Sequence, residues 1–139
     1  MNEQQQERLQ MEAFAVRKNA HAPYSQFHVG CAVLDANGKI HVGCNVENAA
    51  FGSTICAERV ALTSAIAKGN AAGTFLGLAV IGDTFKPIAP CGECRQVIAE
   101  LCPADMPVLM GNLHGKWQQT TVGELLPGAF NRTALNREG

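Results

Sequence analysis

The apolar positions of this chain change their period along its length, and each change marks an element of secondary structure. Near the start, Leu9, Ala13 and Val16 recur at the spacing of one helix face. Further along, residues 75–81 form a continuous apolar run of strand length, which indicates a strand buried on both sides. The predicted elements are, in chain order, a helix over 2–19, strands over 29–34 and 40–46, a helix over 56–68, a strand over 75–81, a helix introduced by 90–92 and ending near 101, strands over 107–110 and 117–121, and a helical segment over 122–126.

Turn and cap residues between these runs support the same division. Asn37-Gly38 lies between the first two strands and is the dipeptide most typical of a short hairpin turn. Ser53 and Thr54 are candidate N-caps of the second helix. The order α-β-β-α-β-α-β-β-α predicts an α/β fold in which helices pack on the faces of a mixed sheet. We expect one domain over residues 1–139, because this length suits a single core.

Charge and composition disfavour several classes of protein. Eleven basic and twelve acidic residues give a formal net charge of −1, which disfavours a module that grips nucleic acid phosphates. The composition is 47% hydrophobic and 17% charged, as in globular chains. The longest nearly apolar stretch, residues 75–82, is far shorter than the roughly 20 residues that span a bilayer. Since the start of the chain is polar and unlike a signal or transit peptide, we expect a cytoplasmic protein with neither a membrane nor a nucleic acid partner.

The cysteines of this chain suggest a metal site. Six cysteines without an export signal are expected to be reduced thiols, available as metal ligands. Cys91 and Cys94 have the spacing of a chelating pair, and Cys56 comes from the start of another predicted helix. Helix N-termini favour the thiolate form that binds zinc. Three protein ligands without an evident fourth are typical of a catalytic Zn²⁺ that keeps one position for water.

A carboxylate accompanies these cysteines. Glu58 lies two residues after Cys56, and residues two apart on a helix do not share a face. Glu58 is therefore poorly placed to bind the metal and is expected to handle protons over its open position. Cys-x-Glu followed by Pro-Cys-x-x-Cys is the pattern of zinc deaminases in an all-cysteine variant. With these residues the chain resembles the small cytidine deaminases that act on free nucleosides.

Further motifs extend this resemblance over residues 22–130. Asn45-Val46-Glu47-Asn48 is similar to the nucleoside-binding segment of that family and begins eleven residues before Cys56. Residues 23–30 resemble the family's loop before the first strand, and residues 124–130 resemble its C-terminal motif. Because the motifs occur in the family's order, the resemblance is specific. It implies a three-layer α-β-α sandwich with a mixed five-stranded sheet.

The resemblance implies an activity as well as a fold. That activity is the hydrolytic deamination of cytidine and 2′-deoxycytidine to the uridines with release of ammonia, a reaction of pyrimidine salvage. The implied partners are a small-molecule nucleoside and further copies of this chain, because the family's sites are completed across a homotetramer. The implied site residues are Cys56, Cys91 and Cys94 on zinc; Glu58 as proton shuttle; Asn45 and Glu47 on the ribose, with Glu47 taking the 3′-hydroxyl; Phe27 against the pyrimidine; Phe130 stacking on it from a neighbouring subunit; the backbone around Ala49 and Ala57; and Arg59 beside the zinc thiolates.

The charge around the predicted zinc site depends on its neighbours. Three thiolates around one Zn²⁺ carry net negative charge, which makes a bound water less acidic unless the charge is offset. Two helix N-termini help to offset it, Arg59 is the best-placed cation, and Arg95 is a second candidate. Glu93 departs from the family pattern and adds an acid beside the cluster unless its side chain faces water. Phe51 stands where the family usually has Tyr, which removes a hydroxyl near the sugar.

The cysteine motifs also allow interpretations without deamination. Cys91-x-x-Cys94 by itself is typical of a thioredoxin-like redox pair, which leaves Cys56 and Glu58 unexplained. A structural zinc in a non-enzymatic binding module needs a fourth ligand, and such sites usually draw ligands in two close pairs. The candidates for a fourth ligand are Cys31, Cys44, Cys102 and His28. We expect these three cysteines to be small buried hydrophobes and the four histidines to lie at the surface.

One enzymatic alternative concerns the substrate. A deaminase of a cytosine-nucleoside antibiotic would use the same fold and the same zinc chemistry. Asn45 and Glu47 disfavour this alternative, because an ordinary ribose is what they would bind.

Overall fold

The computed structural model describes residues 1–136 of the chain. Its elements are α1 (Glu3–Arg17), β1 (Val29–Leu34), β2 (Ile40–Cys44), a 3₁₀ helix (Phe51–Ser53), α2 (Ala57–Ala67), β3 (Gly77–Gly82), α3 (Gly92–Leu101), β4 (Pro107–Asn112), β5 (Trp117–Thr121), α4 (Val122–Leu125) and α5 (Arg132–Leu135). The predicted order of helices and strands is confirmed. The 3₁₀ helix and α5 were not predicted, because three or four residues are too few to show a period. Within the described range, no helix is long and apolar enough to cross a membrane.

The five strands form one mixed sheet in the order β2-β1-β3-β4-β5. Strand β1 pairs antiparallel with both β2 and β3, β3 runs parallel to β4, and β5 is antiparallel to β4. The hairpin between β1 and β2 turns at Asn37-Gly38 as predicted. Gly38 has a φ of 83°, a conformation that glycine adopts without the steric cost of a side chain.

Helices cover both faces of this sheet. On one face, α1 buries Leu9 and Ala13 against a cluster of strand residues. On the other face, α2 and α3 cover a larger cluster that contains Leu62 and Ile98. The strand residues of these two clusters alternate along β1 and β3: Ala32, Leu34, Ala79 and Ile81 face α1, and Cys31, Val33, Leu78 and Val80 face α2 and α3. The predicted three-layer α-β-α sandwich is confirmed.

Close packing of α2 on β2 fixes the position of the N-terminus of α2. A Cβ atom at Gly43 would lie 2.4 Å from the Ala61 nitrogen and 2.6 Å from the Ala57 oxygen, well inside contact distance. The absence of a side chain at Gly43 therefore lets the backbone of α2 rest directly on the strand. Any other residue would push α2 away from the sheet.

Several predicted boundaries differ from the structure by one or two residues, among them those of α1, β3 and β4, and two differences lie near the cysteine motifs. The N-cap of α2 is Cys56, without a side-chain cap, instead of Ser53 or Thr54. The 3₁₀ helix takes up Ser53, so the chain reaches α2 later than the cap pattern suggested. Strand β2 ends at Cys44, and beyond it Val46 forms isolated bridges to neighbouring segments.

His41 is buried, which corrects the expectation that all four histidines lie at the surface. Only 6% of His41 is exposed, and its Nε2 lies 2.8 Å from Oδ2 of the equally buried Asp35. Burial by itself raises the pKa of Asp35, but hydrogen bonds from His41 and from the N–H groups of Lys39 and Asn37 outweigh it, and the pKa is lowered. The carboxylate of Asp35 thus gives the buried His41 ring a hydrogen-bond partner.

Candidate active site

Three cysteine side chains meet where the N-termini of α2 and α3 come together. Cys56 is the N-cap of α2, Cys91 is the N-cap of α3, and Cys94 lies in the first turn of α3. Their Sγ atoms all lie within 4.8 Å of one another. Within residues 1–136, the other candidates for a fourth ligand stand outside this group: Cys31, Cys44, Cys102 and His28. The three-cysteine set predicted from the sequence is therefore assembled by the fold.

This cluster fits a zinc ion. Zinc binds thiolate sulfur at about 2.3 Å in a tetrahedral arrangement, which places the sulfur atoms about 3.8 Å apart. The observed limit of 4.8 Å is compatible with that spacing. Sulfur donors suit Zn²⁺ and not the oxygen-preferring Mg²⁺ or Ca²⁺. Three donors leave a fourth coordination position free, as in catalytic zinc sites.

Even without the charge of a metal ion, neighbouring protein groups favour the thiolate form of one cysteine in this cluster. Hydrogen bonding from Cys94 and Arg59 lowers the pKa of the Cys56 thiol to about 5, although partial burial opposes the shift. The Arg59 Nη2 atom lies 3.6 Å from the Cys56 Sγ and also donates to the Thr54 carbonyl at 3.3 Å. Arg59 therefore occupies the place beside the sulfur atoms that the sequence suggested.

The second candidate cation, Arg95, does not contact the thiols. Its Nε donates to the Pro90 carbonyl at 2.8 Å, and its Nη1 donates to the Leu125 carbonyl at 3.0 Å. Arg95 thus links Pro90, the residue before Cys91, to Leu125 at the end of α4, and its role is structural.

A cavity of about 420 Å³ opens beside the cysteines, a volume typical of small-molecule sites. We call its side formed by Cys56, Glu58 and Cys91 the cysteine wall, and its side formed by Ser25, Phe27 and Glu47 the loop wall. The remaining lining residues are Val29, Asn45, Thr54, Ala57, Ile88 and Ala89.

Glu58 is the buried carboxylate of the cysteine wall. Only 4% of the residue is exposed. Burial raises the pKa of Glu58, and the nearby negative charge of Cys56 adds to this effect. Its carboxylate does not belong to the metal-binding group, in agreement with the two-residue spacing from Cys56. A buried carboxyl group that faces a cavity and has a raised pKa is suited to proton transfer.

Asn45 joins the loop wall to strand β1. Its Oδ1 accepts a hydrogen bond from the Val29 N–H at 2.8 Å, and its Nδ2 donates to the Phe27 carbonyl at 2.7 Å. Both ends of the amide are therefore engaged by the backbone, and one N–H of Nδ2 remains for a ligand.

Glu47 is the carboxylate of the loop wall. Its Oε1 accepts hydrogen bonds from the Tyr24 N–H at 3.0 Å and the Ser25 N–H at 3.1 Å, and its Oε2 accepts one from the Ser25 hydroxyl. The hydrogen bond from the Ser25 side chain is the main reason that the pKa of Glu47 is lowered. Glu47 is thus held as an anion that accepts hydrogen bonds.

The structure brings most of the predicted site residues to one cavity. Phe27, Asn45, Glu47 and Ala57 line it together with Glu58 and two of the three cysteines, Cys56 and Cys91. The sequence did not single out Ser25, Val29, Thr54, Ile88 or Ala89, which also line it. Ser25 lies inside the motif over residues 23–30, so its neighbourhood was indicated although its role was not.

Two predicted substrate residues lie away from this cavity. Ala49 and Phe130 are not among the lining residues of their own chain. The Phe130 side chain is 58% exposed, and its carbonyl accepts a hydrogen bond from Gln96 at 2.9 Å. The ring of Phe51 is exposed and packs edge-to-face against Tyr24, with ring centroids 5.7 Å apart.

Comparison with known proteins gives consistent results. The sequence model of the family described as "Cytidine and deoxycytidylate deaminase zinc-binding region" matches residues 3–110. A cytidine deaminase from Halalkalibacterium halodurans is 50% identical over 90% of this chain and 93% of its own length. One from Sporosarcina psychrophila is 48% identical over 94% of each chain. The crystal structure of cytidine deaminase from Burkholderia pseudomallei superposes with a TM-score of 0.89 at 48% identity, over 94% of this chain and 100% of that chain.

Three thiols at paired helix N-termini and a buried glutamate on an α-β-α sandwich define a zinc-dependent hydrolase of the deaminase class. The chain belongs to the cytidine and deoxycytidylate deaminase family. The zinc cofactor, the fold and the family indicated by the sequence motifs are thereby confirmed.

Proposed function

We propose that this protein deaminates cytidine and 2′-deoxycytidine to uridine and 2′-deoxyuridine, with water as co-substrate and ammonia as co-product. The observation that carries the proposal is that the cysteine wall and a loop wall suited to a ribose line the same cavity. Relatives at 48–50% identity that are named cytidine deaminases support the same substrate.

In the proposed mechanism, Cys56, Cys91 and Cys94 would hold the zinc ion. Zinc bound in this way supplies a Lewis acid that makes water a nucleophile at neutral pH. Glu58 would take a proton from the attacking water molecule and give it to N3 of the base, while the water oxygen would form the new bond to C4. Glu58 then takes the second proton of the water and delivers it to the departing amino group, so that ammonia leaves and the C4 carbonyl forms. Arg59 offsets part of the negative charge of the thiolates.

The rest of the cavity would position the nucleoside. Asn45 and Glu47 bind ribose hydroxyls, Glu47 accepts from the 3′-hydroxyl, Phe27 packs on the pyrimidine, and backbone groups at Ala57 contact the base. The lowered pKa of Glu47 supports this role, because an ionised carboxylate accepts a hydroxyl proton well.

The antibiotic alternative has weaker support. A blasticidin-S deaminase from Bacillus cereus is 30% identical over 78% of this chain, well below the 48–50% identity of the cytidine deaminases. The ribose-binding pair Asn45 and Glu47 also favours an ordinary nucleoside.

We further propose a cytoplasmic homotetramer whose subunits are each one catalytic domain over residues 1–139. Exposed apolar side chains near the cavity-lining segments support an interface between subunits: Val46, Phe51, Ile55 and Phe130. In this arrangement Phe130 and the backbone near Ala49 complete the site of a neighbouring subunit. Reduced thiols, which zinc binding requires, suit a reducing compartment. Sedimentation of a fully active monomer would exclude the role of Phe130.

The decisive test of the activity uses a panel of cytosine compounds with purified protein. Cytidine and 2′-deoxycytidine should release ammonia and lose ultraviolet absorbance, whereas free cytosine, which offers nothing to Glu47, should react very slowly. Equal turnover of cytosine and cytidine would contradict the proposed function.

A further inference from the structure

We propose that Ser25 is a positioning residue that sets substrate specificity by holding Glu47 and Phe27 in their ligand-binding poses. This inference rests on the proposed function, because it assumes that Glu47 binds the 3′-hydroxyl of the nucleoside. Ser25 would act through Glu47 and Phe27 and would take no part in the chemistry at the zinc ion.

The Ser25 hydroxyl lies between these two cavity residues. It donates a hydrogen bond to Oε2 of Glu47 and accepts one from the Phe27 N–H at 3.0 Å. One hydroxyl thus joins the residue proposed to contact the ribose to the residue proposed to contact the base. All three residues line the cavity, so a change at Ser25 is transmitted to both parts of the ligand site.

The backbone of the loop supports this arrangement. Gln26 has a φ of 58°, the left-handed conformation that residues with side chains seldom adopt. Its N–H donates to the Ala22 carbonyl at 2.9 Å, which closes a turn. Because of this turn, the Phe27 N–H points back to the Ser25 hydroxyl instead of continuing along an extended chain.

Counting acceptor sites shows what Glu47 can still bind. A carboxylate has about four lone-pair sites. Three are filled by the Tyr24 N–H, the Ser25 N–H and the Ser25 hydroxyl. The remaining capacity accepts one donor, and because the carboxylate is ionised it can only accept. Glu47 therefore selects a nucleoside with a free 3′-hydroxyl and disfavours one whose 3′-oxygen carries a phosphate, which has no proton to donate and is repelled by the anion.

Removal of the Ser25 hydroxyl should relax this selection. Without it, Oε2 of Glu47 loses its internal donor, and the carboxylate is held only by the Tyr24 and Ser25 N–H groups on Oε1. In Ser25→Ala, we expect kcat/KM for cytidine to fall about 10–100-fold, mainly through KM, the range of a lost hydrogen bond to a charged group. For 3′-deoxycytidine, which lacks the hydroxyl that Glu47 binds, only the effect through Phe27 remains, and we expect less than about a threefold loss.

The experiment compares four proteins on these two substrates: the wild type, Ser25→Ala, Ser25→Thr and Ser53→Ala. Ser25→Thr keeps a hydroxyl and should recover most of the preference for cytidine. Ser53 is an exposed serine outside the cavity lining, so Ser53→Ala should behave as the wild type. Zinc content and thermal unfolding, measured on each preparation, verify that the variants are folded and loaded.

Two results would overturn the role of Ser25. One is an equal loss on cytidine and 3′-deoxycytidine in Ser25→Ala, which would indicate a general effect on the fold or on Phe27 alone. The other is a cytidine preference that survives the substitution unchanged. A wild type that turns over both substrates equally would instead overturn the role of Glu47, and with it the basis of the inference.

Discussion

The cavity contains two glutamates whose surroundings are opposite. Glu58, in the cysteine wall, is buried, and its pKa is raised by burial and by the charge of Cys56. Glu47, in the loop wall, accepts three hydrogen bonds from the segment that contains Tyr24 and Ser25, and its pKa is lowered. Groups whose surroundings move their pKa values apart are suited to different tasks. The raised pKa of Glu58 supports its proposed role in proton transfer, and the lowered pKa of Glu47 supports its proposed role as a hydrogen-bond acceptor.

The two walls also differ in how the fold supports them. The cysteine wall consists of the N-termini of α2 and α3, which are anchored by a hydrophobic core and by the close contact of α2 with Gly43. The loop wall consists of irregular segments that are held by side-chain hydrogen bonds of Ser25, Asn45 and Glu47. The proposed chemistry therefore lies on helices packed into the core, whereas the proposed ligand recognition depends on a few polar contacts.

The largest expected effect is removal of Cys94, the member of the three-cysteine cluster that lies behind the cysteine wall in the first turn of α3. We expect about one zinc ion per chain in the wild type and loss of most zinc, together with all measurable activity, in Cys94→Ala. Cys102→Ala is the matched control, because Cys102 is another buried cysteine, at the C-cap of α3, and lies outside the metal-binding group. Elemental analysis and a deaminase assay distinguish the two variants. Full zinc content in Cys94→Ala would contradict the assigned ligand set.

The next effect in size separates the two glutamates by function. In Glu58→Gln, kcat should fall by about 10⁴-fold or more, at or above the upper end for general acid–base catalysis, because the same carboxyl group serves successive proton transfers. Zinc should stay bound, since the three cysteines are unchanged. Zinc content and kcat are measured on one preparation. Retained zinc with near-normal kcat would exclude the shuttle, and lost zinc would mean that Glu58 is a ligand.

A smaller effect is expected at the other glutamate. Glu47→Ala should raise KM for cytidine by about 10–100-fold and change kcat less, because it removes a charge-assisted hydrogen bond to the sugar. The same substitution should leave the slow reaction of free cytosine unchanged, since cytosine has no ribose. Steady-state kinetics with cytidine and with cytosine test this difference between Glu47 in the loop wall and Glu58 in the cysteine wall. A dominant loss of kcat with no change in KM would show that the two glutamates are not divided as proposed.

The sequence predicted the cysteine wall more completely than the loop wall. Cys-x-Glu and Cys-x-x-Cys at helix starts place their side chains through local helix geometry, so spacing alone indicated which residues would meet. The meeting of α2 and α3 is non-local, but both helices follow strands of one sheet, which the order of elements predicted. The order of elements likewise predicted helices on the faces of a mixed sheet, whereas the three layers and the five strands were implied by the resemblance to the deaminase family.

The loop wall depends on contacts that leave no period in a sequence. The hydrogen bonds from Ser25 to Glu47 join residues 22 positions apart, and the left-handed turn at Gln26 is not encoded by a glycine. The burial of His41 was missed because its partner Asp35 is paired with it only across the hairpin. The position of Phe130 relative to a ligand stays a prediction, because it depends on a second copy of the chain.

The smallest expected effect concerns the outer edge of the cysteine wall, where Glu93 faces Arg59. Glu93 is 81% exposed, with its Oε2 3.7 Å from the Arg59 Nη2, so the acid that the sequence placed beside the thiolates does face water. An exposed ion pair of this kind contributes about 0–1 kcal/mol. Glu93→Gln should therefore change kcat and the rate of zinc release to a chelator by at most about fivefold.

The variant to compare with Glu93→Gln is Arg59→Gln, because Arg59 also contacts Cys56 and the Thr54 carbonyl. Arg59→Gln removes a hydrogen bond to a metal ligand, a change that typically costs about 10–100-fold in metal affinity. The two variants are mixed with a chromogenic chelator, and zinc release is followed by absorbance. Release from Arg59→Gln should be about tenfold faster or more, and release from Glu93→Gln should be unchanged or slower, since Arg59 then donates without competition. If both variants release zinc equally fast, Glu93 supports the metal site through Arg59, and the cysteine wall extends to the exposed face of α3.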